Sequence, residues 1–209
     1  MEITWNGHSC FRITERGMAS VVTDPYDHKL IGYQALNLKA NILTVSHDEP
    51  GHNFVKGVKG NEWEIRGAGE YEIGGVFVTG VATRNEESEN MVFVFDYGGV
   101  TVGHMGDMAS VPSRSQVEAL GNVDVALVPV GGGKALNAAK AAEVISLIEP
   151  GIVIPMHYKT AASKLDLNTL NQFLREMGLS ANEESLPSFK VTQSSIPEET
   201  RVVVLEAPA

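Results

Sequence analysis

Short apolar runs that stop abruptly at a histidine or an acid recur along this chain, and they constrain the fold more than any other feature. Val21-Val22-Thr23 ends at Asp24-Pro25, and Asn41-Ile42-Leu43-Thr44-Val45 runs into Ser46-His47. Val100-Thr101-Val102 leads to Gly103-His104-Met105-Gly106-Asp107, and Ile152-Val153-Ile154 ends at Pro155-Met156-His157. Brief apolar runs between turn signals read as buried strands. Proline has no N–H to donate, so the ladder should close at Asp24-Pro25. A strand that delivers a histidine at its C-terminal end is a common way to present metal ligands or catalytic bases. Five of the six histidines (His8, His47, His52, His104 and His157) stand at or near such an end, and only His28 does not. One such residue is ordinarily a surface or hydrogen-bonded histidine; several at equivalent places point to a site.

Between these ends the turn signals come at short intervals among 21 glycines, which predicts many short strands. Strands are expected over Ile3–Trp5, Ser9–Thr14, Ala19–Thr23, Trp63–Ile65, Tyr71–Ile73 and Val76–Val81, with Gly74-Gly75 as a hairpin turn. Met91–Phe95 and Val100–Val102 flank a second hairpin at Tyr97-Gly98-Gly99, and Leu30 to Asn41 is compatible with a short helix. Arg84 to Asn90 is polar and reads as an exposed loop. The second half alternates helix and strand. Ser115–Leu120 reads as a helix and Val123–Val128 as a strand. Asn137–Ile148 carries Ala138, Ala141, Ala142, Ile145 and Ile148 at helical spacing behind Asn137 as N-cap. Asp166–Met177 is amphipathic, with Leu167, Leu170, Phe173, Leu174 and Met177 on one face and Gly178 as its stop. Phe189–Thr192 and Arg201–Leu205 close the chain as strands. Val21–Asp24 and Val100–Asp107 echo each other, which suggests a weak internal duplication with one sheet from each half and helices outside. A single domain over residues 1–209 is expected.

Charge narrows the partners. With 16 Lys and Arg against 26 Asp and Glu, the net charge of −10 offers no basic track, so nucleic acid is not expected as a partner. A small anionic substrate needs only a local cluster of positive charge and stays compatible. Cys10 is the only cysteine, which excludes an internal disulfide and any zinc site built on several thiolates of this chain. Met1 leads straight into Glu2-Ile3-Thr4-Trp5 without a basic start, and no run approaches the length of a membrane span. A cytoplasmic protein with a small-molecule substrate and no membrane contact is expected; a homo-oligomer remains open.

Several pieces, taken in order, resemble the metallo-β-lactamase fold superfamily, in particular small metal-dependent hydrolases similar to ascorbate-phosphate lactonase. They are Trp5-Asn6-Gly7-His8-Ser9, Thr23-Asp24-Pro25, Thr44-Val45-Ser46-His47, Gly69-Glu70-Tyr71-Glu72, His104-Met105-Gly106-Asp107, Pro129-Val130-Gly131-Gly132 and Ile154-Pro155-Met156-His157-Tyr158. The resemblance implies an α/β fold, a four-layer αββα sandwich with its site at one edge between the sheets. It also implies a metal-dependent hydrolase acting on a small ester, lactone or phosphoester through a metal-activated water. The alternative is a catalytically degenerate member that binds a ligand or partner in the old cleft.

The family's H-x-H-x-D-H loop organises two metals, and here that loop has changed. His47 matches the first histidine, Glu49 stands in place of the second, Gly51 replaces the aspartate and His52 matches the last histidine. Asn85 falls where a later-strand histidine is implied, while Asp107 and His157 match the bridging aspartate and the C-terminal histidine. The resemblance therefore implies His47, Glu49, His52, Asp107 and His157 as metal ligands. One divalent ion is expected on His52, His157 and Asp107, zinc first with manganese or iron as alternatives. The harder, nitrogen-poor set around His47 and Glu49 argues against a second. Glu49 as a substitute base and His8 in the pocket are the candidate catalytic residues. Lys134 and Lys159 are candidate anion contacts, His104 reads as a buried hydrogen-bonded histidine, and Tyr158 as a donor to substrate or a packing residue.

Overall fold

In the computed structural model, which describes residues 1–83, 89–181 and 184–208, the strand-forming runs assemble into two large sheets. The first orders six strands as Phe189–Lys190, Glu2–Trp5, Phe11–Thr14, Val21–Thr23, Ile42–Thr44 and Trp63–Ile65. The second orders seven as Arg201–Val202, Ile152–Met156, Val125–Pro129, Thr101–His104, Met91–Asp96, Val76–Ala82 and Gly69–Ile73. Both contain the same series, two antiparallel pairings followed by two parallel ones. It runs from Glu2–Trp5 to Trp63–Ile65 in the first sheet and from Val76–Ala82 to Ile152–Met156 in the second. Asp24 and Asp107 each follow the third strand of their series, so the repeat read in the sequence has a counterpart in the topology.

Period-two alternation decides which side chains go where. Val21 and Ile42 turn into the core between the sheets, beside Ile3, Phe11, Phe93 and Phe95. Their neighbours Val22 and Leu43 turn outward into a second cluster with Cys10, Tyr26, Ile31, Tyr33 and Val58. The short helix His28–Ile31 and the adjoining loops cover that outer face. Val125–Pro129 and Ile152–Met156 are buried along their whole length, as parallel strands covered on both faces must be. Ala138–Ile148 packs on Val125–Pro129, Leu170–Glu176 packs on that helix, and Arg114–Leu120 packs on Val76–Ala82. The result is an αββα layering. Among the described residues no helix is long and apolar enough to cross a membrane.

Local signals hold where nothing distant competes. The Asn137 side chain accepts from the Lys140 N–H at 3.0 Å and starts its helix as expected. The later helix begins only at Leu170, after Thr169, rather than at Asp166. Its missing first turn is tied elsewhere: the Asn168 N–H donates to Gly131 O at 2.8 Å, and Asn168 O accepts from the Lys159 N–H at 2.8 Å. These long-range bonds bring the 166–169 segment against the glycine-rich loop.

Candidate metal centre

Three chain segments reach the site in backbone conformations that side chains avoid. His8 (φ 52°), Asp24 (φ 38°) and His157 (φ 52°) all have positive φ; among the described non-glycine residues only Glu149, at a helix end, shares this. Such conformations cost about 1–3 kcal/mol each and persist where the surroundings over-determine them. Here they do. The His8 carbonyl accepts from the Trp5 indole N–H at 3.0 Å and from the His157 N–H at 3.1 Å, which ties the first loop to the last. The turn carrying Asp107 is equally fixed. Asn90 Oδ1 accepts from the Asp107 N–H at 2.8 Å while its Nδ2 donates to Met105 O at 2.9 Å. Gly106 (φ 58°) lies so close that a Cβ there would stand 2.3 Å from Asn90 Oδ1 and 2.6 Å from Ser46 Cβ.

These segments converge on the Asp107 carboxylate. His52 Nε2 lies 3.4 Å from Asp107 Oδ2, His157 Nε2 lies 3.4 Å from Oδ1, and His47 Nε2 lies 3.9 Å from Oδ2. His8 Nε2 is 3.2 Å from His52 Nε2, and the His8 and His157 rings are 4.4 Å apart. A single buried carboxylate orients two of the rings from behind. Asp24 Oδ2 accepts from His52 Nδ1 at 2.8 Å and from the Ser46 hydroxyl, and that hydroxyl accepts from His47 Nδ1 at 3.0 Å. The network thus keeps a proton on Nδ1 of both histidines and aims both Nε2 atoms inward, the atoms that ligate a metal once deprotonated.

The charges follow from burial and neighbours. Burial opposes charge on His52, but the Asp107 and Asp24 carboxylates override it and push its pKa up to about 10. Burial likewise opposes charge on Asp107, yet the surrounding imidazoles, His157 first, hold its carboxyl well below the usual range. Burial lowers His8, His47 and His157, and repulsion from neighbouring imidazoles, His52 in every case, adds to this. Asp107 Oδ1 is buried without a hydrogen-bond partner. A carboxylate with one orphaned oxygen beside His157 Nε2 and the other beside His52 and His47 suits a cation. Ligand atoms on one tetrahedral zinc stand about 3.3 Å apart, given Zn–N distances of about 2.0–2.1 Å. The separations of 3.2 and 3.4 Å found here match, so the residues fit a divalent metal. Among the described residues two groups meet the spacing for ligation: His8, His52 and His157, and His47, His52 and Asp107.

The structure therefore brings His47, His52, Asp107 and His157 together, with His8 among them. Glu49 belongs to neither group. Its carboxylate, nearly half exposed, lines the cleft beside the cluster and takes an ion pair with Lys134 Nζ at 2.6 Å. Asn85 lies outside the described residues. Lys159 is not an anion contact, because its Nζ donates to Ser163 O and Leu165 O at 2.8 Å each. His104 is a satisfied structural histidine: its Nε2 donates to Ser9 O at 2.8 Å and its Nδ1 accepts from the Gly106 N–H. Tyr158 packs against Trp5 with ring centroids 5.1 Å apart. Asp24, Ser46 and Asn90 were not singled out as site residues. The strand-end signal at Asp24-Pro25 could have flagged the first, and nothing local flags the other two. Glu49→Gln is expected to leave metal stoichiometry unchanged and the melting temperature nearly so, because an exposed pair contributes little; metal analysis and a thermal melt of the variant check this.

Beside the cluster opens a cleft of about 1170 Å³. His47 and Ser46 line it on the cluster side, with Arg66, Lys134 and Lys140 as cations and Gly132 and Gly133 as its glycine-rich rim.

Comparison with known proteins agrees with this geometry. A family model described as "Beta-lactamase superfamily domain" matches residues 2–157. A Thermotoga maritima structure of the metallo-β-lactamase superfamily superposes with a TM-score of 0.81 at 37% identity, covering 99% of this chain and 98% of that one. A Thermoplasma acidophilum protein described as a UPF0173 metal-dependent hydrolase is 27% identical over 191 residues, 77% of this chain and 84% of that protein. A Pyrococcus furiosus UPF0173 protein is 27% identical over 186 residues, with the same coverage.

Proposed function

The chain belongs to the metallo-β-lactamase superfamily, and on that premise we propose that it is a metal-dependent hydrolase of a small ester, lactone or phosphoester. One observation carries the reading: the Asp107 carboxylate, whose buried and unpartnered Oδ1 lies 3.4 Å from His157 Nε2 while its Oδ2 lies 3.4 Å from His52 Nε2. His52, His157 and Asp107 would hold one divalent ion, zinc first with manganese or iron as alternatives. Such an ion supplies Lewis acidity toward a carbonyl or phosphoryl oxygen and makes water a nucleophile near neutral pH.

The remaining work falls to this chain's own residues. Position 51 offers no carboxylate and Glu49 is held by Lys134, so neither takes a proton from water. His47 is the ring that reaches both the cluster and the cleft. Burial lowers its pKa, so it is neutral near pH 7 and accepts a proton at Nε2 while its Nδ1 stays bonded to Ser46. Asp48, Glu49 and Glu89 line the cleft beside the cations; Lys134 is paired with Glu49 and Arg66 with Glu64 and Asp48, so among the described lining residues Lys140 is the cation that would meet an anionic substrate group.

The test is hydrolysis of a panel of esters, lactones and phosphoesters by protein purified without chelators. Removing the metal with EDTA is expected to abolish activity, and adding Zn²⁺ or Mn²⁺ to restore it. A preparation that retains no metal, gains no activity on addition and melts at the same temperature with and without EDTA would overturn the proposal. The engaged Glu49 and the bare Gly51 would then favour a non-enzymatic member that binds a ligand in the cleft.

A further inference from the structure

We propose that the missing side chain at Gly51 leaves the space in which the imidazole of His8, a residue of the family-like Trp5–Ser9 piece, serves as a third nitrogen ligand. The ion is then held by His8, His52, His157 and Asp107, in a single-metal site that leaves His47 free. This rests on the metal-binding reading above.

The steric observation comes first. A Cβ at Gly51 would stand 2.9 Å from His8 Nε2 and 3.4 Å from both His8 Cδ2 and Ile31 Cδ1. The first distance is one that real Cβ atoms essentially never show. A carboxylate side chain, as the family motif has at this place, would need still more of that space. Gly51 is not among the positive-φ glycines, so its backbone does not require glycine. What it supplies is room, and the atom that comes nearest that room is a ring nitrogen.

The second observation is the direction of His8. Its Nε2 is 3.2 Å from His52 Nε2, and both rings are buried. Two bare lone pairs at that distance repel, so a proton or a cation must lie between them. His8, His52 and His157 together offer three nitrogens within 4.8 Å of one another. The His8 backbone, strained at φ 52° and bonded through its carbonyl to the His157 N–H, is held for this purpose rather than relaxed. Three imidazoles and one carboxylate select borderline ions such as Zn²⁺ or Co²⁺ over Mg²⁺ and Ca²⁺, which want more oxygens.

Chelator-treated protein titrated with Co²⁺, followed by its visible absorption, and with Zn²⁺ against a competing chelator tests the proposal. His8→Asn, chosen because asparagine tolerates positive φ, is expected to weaken both ions by roughly 100-fold or more and to change the Co²⁺ spectrum. Gly51→Ala, which the backbone accepts, should displace His8 and give a loss of similar size. Combining the two should cost no more than either alone, since both remove one ligand. His47→Ala should lose hydrolysis and cost clearly less affinity than His8→Asn or Gly51→Ala. If His8→Asn does not fold, Gly51→Ala carries the test on its own. Wild-type affinity and spectrum in Gly51→Ala, or a loss in His47→Ala that matches the other two, would overturn the assignment while leaving the metal reading intact. Failure of the unmodified protein to bind either ion would instead overturn that reading, and this inference with it.

Discussion

Asp107→Ala is expected to eliminate metal retention and hydrolysis together. Among the described residues Asp107 is the one carboxylate that faces the imidazole Nε2 atoms, and it touches His47, His52 and His157 at once. Losing an outer-shell partner of a metal site already costs about 10–100-fold in affinity or activity. A direct ligand that also carries the site's only inward negative charge should cost more than 100-fold. Asp107→Asn should fail equally, because the amide keeps the shape but not the charge. The same substitution has a signature in metal-free protein. His52 has its pKa raised from 6.5 to about 10, so its contribution to stability is fully present below pH 6.5 and is lost as the pH rises through about 10. Asp107 is the leading cause of that rise, so chelator-treated wild type should lose stability over this window and Asp107→Ala should lose far less. Denaturant midpoints at several pH values, together with metal analysis, decide the matter. Stoichiometric metal in Asp107→Ala would sink the proposed site.

The strand ends were legible because their signals are local. An apolar run closed by Asp24-Pro25, or by Pro155-Met156-His157, states its burial and its stop within a few residues. The weak repeat, one sheet from each half, follows from such runs, whereas the pairing order comes from the structure. What stayed hidden depends on partners far along the chain. Glu49 points away from the cluster because Lys134, 85 residues later, takes its carboxylate. His104 and His157 look alike in sequence, each closing an apolar run. They part only because Ser9 O and the Gly106 N–H satisfy both nitrogens of the first, whereas His157 Nε2 is left for Asp107. His8 sits in a Gly-His-Ser turn with no ligand spacing, and its place in the cluster depends on a side chain that is missing at Gly51. The resemblance named the positions that had changed, and the packing shows which side chain borders the space at Gly51.

Asp24→Ala is expected to be the most destabilising single substitution at the site, although Asp24 faces no substrate. Its carboxylate is fully buried and accepts from the Ser46 N–H at 2.7 Å, from the Ser46 hydroxyl and from His52 Nδ1 at 2.8 Å. Alanine leaves three buried donors unsatisfied and removes the counter-charge behind His52. Removing one partner of a buried charged pair typically costs about 3–5 kcal/mol, and the positive φ at this position adds strain for alanine. Asp24→Asn separates the two roles of the residue. Its amide oxygen still accepts from the Ser46 N–H, so most of the fold should survive. With only one acceptor oxygen, it no longer fixes the His52 proton on Nδ1 as a carboxylate does, and the Nε2 lone pair is no longer held inward. Metal affinity should therefore fall by roughly 10–100-fold in Asp24→Asn, while its melting temperature stays well above that of Asp24→Ala. The linkage has a definite sign. His104 and His52 overcome the burial penalty and lower the Asp24 pKa, so its stabilisation is present above the ordinary carboxylate range and is lost as the pH falls through the depressed value. Asp24 should therefore add a loss of stability that begins as the pH falls through the unfolded carboxylate pKa of about 3.9, and Asp24→Asn should lack that part of the acid transition. Equal metal affinity in Asp24→Asn and wild type would show that the ring orientation is fixed by packing rather than by this carboxylate.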